Sequence, residues 1–428
     1  MVWRTSINPF FRVAMKRGQP ATLFLFFIQP FLGFLFAIRN LTRTQNCIVF
    51  ILFAALWGWS MSFEYTPADN YRIAAVFCQR PIIDFEEIIE RQEEGKSVDI
   101  YLSVVNYLVH KYSDNAKAFF AVLCTVFGIF CLASIRYVII HRVNKNNLYL
   151  ILFAFMMFST ASLAYSSMPR FWTAAWVMTF TTMNLMDKNY KWIPLLVLLP
   201  YIHFSFLPIS LILVGAIFFS DFFRKHEKIL FYMFCIVFLI SFVLPESVLE
   251  YIIPDSMLEG DKAMSKYDSY VNTNKLAGRQ VVREVSAYRE ANSIVTHLFQ
   301  IVMKLAAFAV ILVIRKYKNY YKSDLRIQKM YIFLLMLGSV CFFMSILRHV
   351  GWRFVWLLWL PLYYLFYVVY DVYKPRIIHK YGYLIIFVNI YTISHMLYVT
   401  YRTVDLHLFF MPLYNIIERG INFPPVDW

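Results

Sequence analysis

The sequence has 428 residues, of which 60% are hydrophobic, 19% aromatic and 16% charged, and its mean hydropathy is +0.56. Soluble domains are about half apolar, so this composition excludes an ordinary soluble fold. The formal charge of +15 does not indicate a nucleic-acid partner, because the lysines and arginines fall in short joints between apolar runs, as they do in the cytoplasmic loops of membrane proteins.

The apolar runs predict an all-α, polytopic (multi-pass) integral membrane protein, with residues 1–428 as a single transmembrane domain. Helical runs of about 17–25 apolar residues match the hydrocarbon core of a bilayer and satisfy their backbone polar groups internally. We recognise about eleven runs, at 22–38, 46–63, 116–140, 148–165, 171–186, 192–219, 229–244, 294–314, 330–347, 353–370 and 382–400. The first run follows basic residues, as in a signal sequence, but lacks a cleavage site, so we expect it to be retained.

Two polar stretches are too long to be tight joints, and we expect both 64–115 and 245–293 to be structured extracytoplasmic caps. The short basic joints should face the cytoplasm. These joints are 39–46, 141–147, 187–191, 220–228, 315–329 and 371–381. In this topology they carry 18 lysines and arginines, against three in the short outside joints.

The topology requires one run to enter the membrane and return. Joints 187–191 and 220–228 are both basic, yet only the run 192–219 separates them. We therefore predict a re-entrant helix pair over 192–219, broken near Pro200, His203 and Pro208, because proline interrupts a helix. A second break is suggested by Gln29-Pro30 in the first run, and the sequence leaves open whether 22–38 crosses the membrane.

Three arginines lie on the outside in this topology, namely Arg170, Arg348 and Arg353, and Asp69 and His203 are placed at the same level. Arginine at membrane depth is costly unless paired, and its planar guanidinium binds phosphate or carboxylate through two hydrogen bonds. The pattern predicts a cationic pocket with one carboxylate and one imidazole. The alternative for each residue is structural: arginines that reach the headgroups, a satisfied core histidine, and an aspartate that caps a helix.

Such a pocket fits an enzyme that acts on a lipid pyrophosphate. Pyrophosphate is a good leaving group, so the protein mainly has to hold its charge and supply a base, for which Asp69 and His203 are both candidates. Arg279 and Arg283 are candidate contacts to a polyanionic glycan or headgroup, with a surface amphipathic helix as the alternative. We expect no metal and no cofactor, because the sequence has no zinc spacing, phosphate-binding glycine loop or DxD pair.

Four short segments of this sequence resemble the EpsG/Wzy-like polymerases of bacterial O-antigen, capsule and exopolysaccharide synthesis. The segments are PADNY, SSMPRFWTAAW, YIHFSFLPISLIL and GWRFVW, and they contain Asp69, Arg170, His203 and Arg353. Two neighbouring positions differ from the family pattern. Ala68 stands where glycine is common, and Phe171 stands where glutamine is common.

The resemblance implies a GT-C-like helical bundle in the bacterial inner membrane. It implies a membrane glycosyltransferase that moves a growing glycan from undecaprenyl pyrophosphate to a lipid-linked oligosaccharide repeat unit at the periplasmic face, with a chain-length regulator and a flippase as expected partners. Three alternatives stay open. They are a lipid-linked oligosaccharide flippase, which should show repeat symmetry and midplane charges, an O-antigen ligase-like enzyme, which uses the same donor with another acceptor, and a purely structural membrane scaffold, in which lysine could replace the outside arginines.

Overall fold

The computed structural model describes residues 20–63, 69–79, 82, 84–93, 100–142, 155–244, 287–318, 324–373 and 376–422. Within these ranges the prediction of an all-α protein is confirmed, with one isolated β-bridge between Met61 and Val404 as the exception. The α-helices are α1 Pro20–Ile28, α2 Pro30–Ile38, α3 Thr44–Trp59, α4 Asp69–Gln79, α5 Phe85–Glu93, α6 Ile100–His110, α7 Ala116–Arg142, α8 Pro169–Met186, α9 Pro194–Ile202, α10 Leu207–Phe218, α11 Ser220–Lys225, α12 Glu227–Val243, α13 Ala287–Lys316, α14 Leu325–Met344, α15 Arg348–Tyr373, α16 Arg376–Thr403, α17 His407–Phe410 and α18 Leu413–Ile421.

Three helices in the described part of the chain are long and apolar enough to cross a membrane. They are Ala116–Ile140 in α7, His297–Lys316 in α13 and Leu325–Met344 in α14. At 1.5 Å per residue, the 20 residues of α14 span about 30 Å, which matches the hydrocarbon thickness of a bilayer. The number of eleven apolar runs, and the side of the membrane that each joint faces, stay predictions.

The first apolar run is two short helices. α1 and α2 have nine residues each, and they are separated at Gln29, whose side chain caps α2 by accepting a hydrogen bond from Leu32 N at 2.5 Å. A Cβ on Gly33 would lie 2.5 Å from Phe26 Cα, so the two helices pack backbone to backbone. Each is about 13.5 Å long, too short to cross a bilayer by itself. The suggested break at Gln29-Pro30 is therefore observed.

The run 192–219 is also broken near its middle. α9 ends at Ile202, a 3-10 turn covers Phe204–Phe206, and α10 begins at Leu207. The break falls at His203, whereas Pro200 lies inside α9 and Pro208 occupies the first turn of α10, where proline is tolerated. The two helices have nine and 12 residues, so neither reaches about 30 Å. Their position in a membrane, as a re-entrant pair, stays a prediction.

Helix α8 separates two ends of the bundle, because it begins beside Arg170 and ends beside Asp187, about 27 Å away for its 18 residues. The end near Asp187, called here the basic end, brings together the joints 187–191, 220–228 and 315–329. Arg326 Nη1 lies 3.4 Å from Asp187 Oδ1, and Lys318 forms an ion pair with the buried Glu227. Three of the predicted cytoplasmic joints therefore share one end.

The predicted cap at 64–115 contains three helices, α4, α5 and α6, within its described parts. α5 carries the acidic segment, with Glu86 and Glu87 in its first turn, where negative charge complements the helix dipole. The other predicted cap, 245–293, lies outside the described residues up to residue 286, and so do Arg279 and Arg283.

Asp324 starts α14 at the basic end, and we predict that it stabilises the helix. Its Oδ1 accepts a hydrogen bond from Arg326 N at 3.0 Å, and its Oδ2 lies 3.0 Å from Arg326 Nη2. Asp324→Ala should lower the free energy of unfolding by about 1 kcal/mol, whereas Asp324→Asn, which can still cap the helix, should lose less. Thermal unfolding of the purified variants in one detergent measures this difference, and equal losses would contradict it.

The charge of Asp324 gives this stabilisation a pH dependence. Burial alone would raise the pKa of Asp324, but the hydrogen bonds and positive charge of Arg326 outweigh it and hold the pKa below its ordinary value of 3.8. A carboxylate with a depressed pKa stabilises the folded state above its unfolded pKa and loses that contribution as the pH falls through the folded value. The difference in stability between the wild type and Asp324→Asn should therefore shrink below about pH 4.

Candidate functional site

The structure brings Asp69 and Arg353 into direct contact. Asp69 is the first residue of α4, Arg353 lies in the second turn of α15, and Arg353 Nη2 is 2.8 Å from Asp69 Oδ2. The other carboxylate oxygen of Asp69 pairs with Arg72. The side chains of Arg353 and Asp69 are 23% and 21% exposed, so the ion pair is partly buried.

The start of α4 is fixed by a neighbouring polar residue. Asn70 is buried, and its Nδ2 donates a hydrogen bond to Ser62 O at 2.8 Å. Ser62 N in turn donates to Thr403 O at 3.0 Å. These bonds join α4 to the end of α3 and the end of α16, and so they hold Asp69 in place opposite Arg353.

Arg353 has hydrogen-bonding capacity left for a ligand. Its Nε is buried and, among the described residues, has no hydrogen-bond acceptor. Its guanidinium carbon lies 5.7 Å from the centroid of the Trp352 ring. A buried donor without a partner costs free energy, so an anion that reached this nitrogen would be stabilised there.

Arg170 stands at the beginning of α8, directly after Pro169, which occupies the first turn of the helix. Arg170 is exposed, and the next residue, Phe171, is buried. The Phe171 ring lies 5.5 Å from the ring of Phe354 and 5.5 Å from the ring of His203. Phe171 is one of the two positions that differ from the family pattern, and it packs the segments of Arg170, His203 and Arg353 together.

His203 is held in a local structural role. It follows α9, and its Nδ1 accepts a hydrogen bond from Ser205 N at 3.3 Å and lies 2.9 Å from Ser205 Oγ. This is the bonding of a residue that caps the following 3-10 turn. Its ring packs edge-on against Phe171 and Phe206. Through Phe171, His203 lies beside the Arg170 segment, and its use as a base stays a hypothesis.

Arg348 is the first residue of α15, five residues before Arg353, so both predicted arginines belong to one helix. The sequence placed Arg348 at the end of the preceding run, whereas the structure ends α14 at Met344 and begins α15 at Arg348. The side chain of Arg348 is outside the described part of the structure. Its role in binding stays a prediction, like those of Arg279 and Arg283.

Next to this site lies a histidine that the sequence analysis did not identify. His395, in α16, has its Nδ1 2.7 Å from the hydroxyl oxygen of the fully buried Tyr165. Its ring lies 5.1 Å from Trp356 and 5.9 Å from Trp352. His395 lies in the apolar run 382–400, where an ionisable side chain is rare, and that rarity is the signal that could have identified it.

A second group of ionisable side chains lies at the same end of the bundle. His407 Nδ1 contacts Asp405 Oδ1, and Arg419 Nη1 is 3.3 Å from His407 Nε2. Burial would raise the pKa of Asp405, but the hydrogen bonds from the backbone and ring of His407, together with the charges of His407 and Arg419, lower it. Asp405 N also donates to Ser60 O at 2.8 Å, so the cluster ties α16 to α3.

The described part of the chain brings no three His, Cys, Asp or Glu side chains close enough together to hold a metal ion. All six cysteines are free, and four of them are buried: Cys47, Cys124, Cys131 and Cys341. Arg353 and Asp69 are in contact, and Arg170 and His203 belong to segments that Phe171 packs beside the Arg353 segment; side chains of these types are suited to bind an anion or to move a proton. The absence of a cofactor stays a prediction.

The all-helical fold, the apolar helices and the arginine-carboxylate pair at one end define a membrane protein with a cationic site. The chain belongs to the EpsG family, which matches residues 82–413, most of the chain. It is accordingly a membrane protein of the polysaccharide-polymerase type. The matched range includes Arg170, His203, Arg348 and Arg353 and begins after Asp69. No curated protein and no solved structure matches the chain.

Proposed function

We propose that this protein is a membrane glycosyltransferase that polymerises lipid-linked oligosaccharide repeat units. The donor is a growing glycan on undecaprenyl pyrophosphate, the acceptor is the next lipid-linked repeat unit, and the reaction takes place at the periplasmic face of the bacterial inner membrane. The observation that carries the proposal is the partly buried Arg353 beside Asp69, with a guanidinium nitrogen still free of an acceptor among the described residues.

In this glycosyl transfer the protein has two tasks, to stabilise the charge of the leaving pyrophosphate and to accept one proton. An acceptor hydroxyl attacks the anomeric carbon of the donor glycan, the bond from that carbon to the pyrophosphate oxygen breaks, and the electron pair leaves with the pyrophosphate. Negative charge therefore develops on the leaving group. Preorganised donors aimed at that charge are the largest single contribution in many enzymes, and arginine suits phosphate oxygens because of its planar geometry.

Asp69 fits an orienting role in this reaction. One of its oxygens pairs with Arg353 and the other with Arg72, so both are engaged. A carboxylate held in this way fixes the guanidinium of Arg353 before the substrate arrives, and preorganisation reduces the cost of binding. Arg170 is proposed to contact the same diphosphate from the start of α8, and Arg348 from the start of α15.

The proposal includes the orientation of the protein in the membrane, with the basic end in the cytoplasm and the Arg353 site outside. The joints that share the basic end carry most of the Lys and Arg residues expected in the cytoplasm, and Arg170 stands at the other end of α8. Polymerisation outside the cytoplasm requires a flippase to deliver the lipid-linked units, and a chain-length regulator is the second partner proposed. The saccharide identity, whether O-antigen, capsule or exopolysaccharide, depends on the units supplied.

Purified protein in detergent, incubated with lipid-linked repeat units, should produce a ladder of glycans that differ by one unit. The ladder can be read by gel electrophoresis, and the released lipid pyrophosphate should increase in proportion to the bonds formed. A ligase-like enzyme would give single transfers to a different acceptor and no ladder. A flippase would leave the units unreacted and would move a labelled unit across a vesicle membrane, and either outcome would reject the polymerase proposal.

A further inference from the structure

His395 and Tyr165 form a polar pair inside an aromatic cluster. The two residues are 230 positions apart, and the Tyr165 hydroxyl lies 2.7 Å from His395 Nδ1. Tyr165 belongs to the 3-10 helix Leu163–Ser167, which comes just before Arg170 and is fully buried. His395 is only partly buried, and the described residues offer no hydrogen bond to its other ring nitrogen, Nε2.

The aromatic cluster connects this pair to the cationic site. Trp352 contacts both, since its ring lies 5.9 Å from the His395 ring and 5.7 Å from the guanidinium carbon of Arg353. Trp356, Tyr391 and Tyr398 lie 5.1, 6.0 and 6.4 Å from His395. Tyr391 and Tyr398 are partly exposed, so the cluster is not closed on all sides. The imidazole of His395 and the guanidinium of Arg353 therefore both lie against the indole ring of Trp352.

The candidate bases differ in their contacts. Both oxygens of Asp69 contact arginines. His203 is held through Nδ1 by its local bonds to Ser205, which cap a turn. His395 is also held through Nδ1, but by the distant Tyr165, and it lies against Trp352, the ring that contacts Arg353, which is the arrangement of an oriented base beside the cationic site.

We propose that His395 is the base that removes the proton from the acceptor hydroxyl, and that Tyr165 positions it. This inference rests on the proposed function, since the proton comes from the sugar hydroxyl that attacks the donor. This role requires the tautomer in which Nδ1–H donates to the Tyr165 oxygen, since only then does Nε2 keep a lone pair that can accept the proton. The hydroxyl oxygen bonds to the anomeric carbon, the pyrophosphate leaves with its electron pair, and the imidazolium then releases the proton to water.

The aromatic rings around His395 suit a sugar acceptor. The rings of Trp356 and Trp352 lie 5.1 and 5.9 Å from the His395 ring, and they offer flat apolar faces with polar edges, which suit an amphipathic ligand such as a sugar. We therefore place the acceptor sugar against the exposed edge of this aromatic cluster, within reach of His395 Nε2.

The test uses His395→Phe, which keeps an aromatic ring and removes the nitrogens. In the ladder assay with purified protein, kcat should fall at least about 100-fold while KM for the lipid-linked unit changes little, because general base catalysis contributes about 10²–10⁴-fold. Added imidazole should restore part of the rate to His395→Ala. His297, an exposed histidine of α13, supplies the matched control, and His297→Phe should keep the wild-type rate.

The outcomes separate this inference from the proposed function. If wild-type protein gives a ladder and folded His395→Phe keeps a rate within threefold of it, the base assignment is wrong and the polymerase function stands. If wild-type protein gives no ladder, both are wrong. Should the His395 variants fail to fold, Tyr165→Phe decides the matter: it keeps the ring, and a roughly tenfold loss of kcat at unchanged KM supports the pair, whereas an unchanged kcat overturns it.

Discussion

Arg353→Lys is expected to reduce polymer formation at least about 100-fold while the protein stays folded and inserted in the membrane. Lysine keeps the positive charge and can still approach Asp69, but it lacks the planar pair of donors and the Nε that lies buried at this site. Loss of one preorganised donor to a developing anion typically costs about 10²–10³ in kcat. The measurement is the rate of ladder formation by purified enzyme.

Arg170→Lys should have an effect of the same kind, because Arg170 begins the helix that Phe171 packs against the Arg353 segment. A matched control is Arg224→Lys. Arg224 is an exposed arginine paired with Asp221 at 2.9 Å in the joint 220–228, and its replacement should leave the rate unchanged. If both site variants made full-length polysaccharide at the wild-type rate, the proposed diphosphate site would be rejected.

Gly58→Ala should prevent correct packing of α3 against α7. A Cβ at this position would lie 2.2 Å from Phe120 O and 2.8 Å from Ala121 Cα, so it would meet backbone atoms rather than a side chain that can move. Small residues allow such close helix contacts in membrane proteins. Overpacking costs about 1–3 kcal/mol or more, and here the two helices would have to separate, so we expect a large loss of folded protein.

Gly215→Ala is the matched control for this prediction. A Cβ on Gly215, in α10, would lie 3.4 Å from the nearest atom, a ring carbon of Phe223, which is ordinary van der Waals contact. Alanine is about 1 kcal/mol more favourable than glycine within a helix, so this variant should be as stable as wild type or slightly more stable. The fraction of protein that stays monodisperse in detergent after heating measures the stability of the Gly58→Ala and Gly215→Ala variants. Equal behaviour of the two variants would contradict the packing argument.

Much of the helical organisation follows from local features of the sequence. Apolar length predicts α7, α13 and α14, and a proline or polar residue within an apolar run predicts the breaks at Gln29 and His203. These features act over a few residues, through a missing backbone donor or a competing side-chain hydrogen bond. Near Arg348 the apolar run 330–347 and the helices differ, since α14 ends at Met344 and α15 begins at Arg348. Helix ends are set by backbone hydrogen bonds and caps, so they do not coincide with the ends of an apolar run.

The charged residues of the site could be predicted from the sequence. Asp69 and Arg353 are 284 residues apart, yet both stand out because charged residues at that depth are rare, and the structure pairs them. Tyr165 and His395 form a comparable contact across 230 residues. A tyrosine is common in apolar stretches and marks nothing, but a histidine inside the apolar run 382–400 is rare and was a signal that we did not use. That the two residues meet depends on how α16 packs beside the 3-10 turn and could not be predicted. The ion pair between Arg72 and Asp69 could not be predicted either, because it depends on the geometry of the two side chains.

The proposed reaction requires the end of the bundle that carries Asp69 and Arg353, the site end, to face the outside of the cell. Single cysteines in a background without native cysteines test this with a membrane-impermeant thiol reagent on intact cells. Tyr112, 84% exposed in the joint before α7, reports the site end; Asp221, with a side chain 77% exposed, reports the basic end. We expect Tyr112→Cys to be labelled in intact cells and Asp221→Cys only after the membrane is opened. Labelling of Asp221→Cys alone in intact cells would contradict the account.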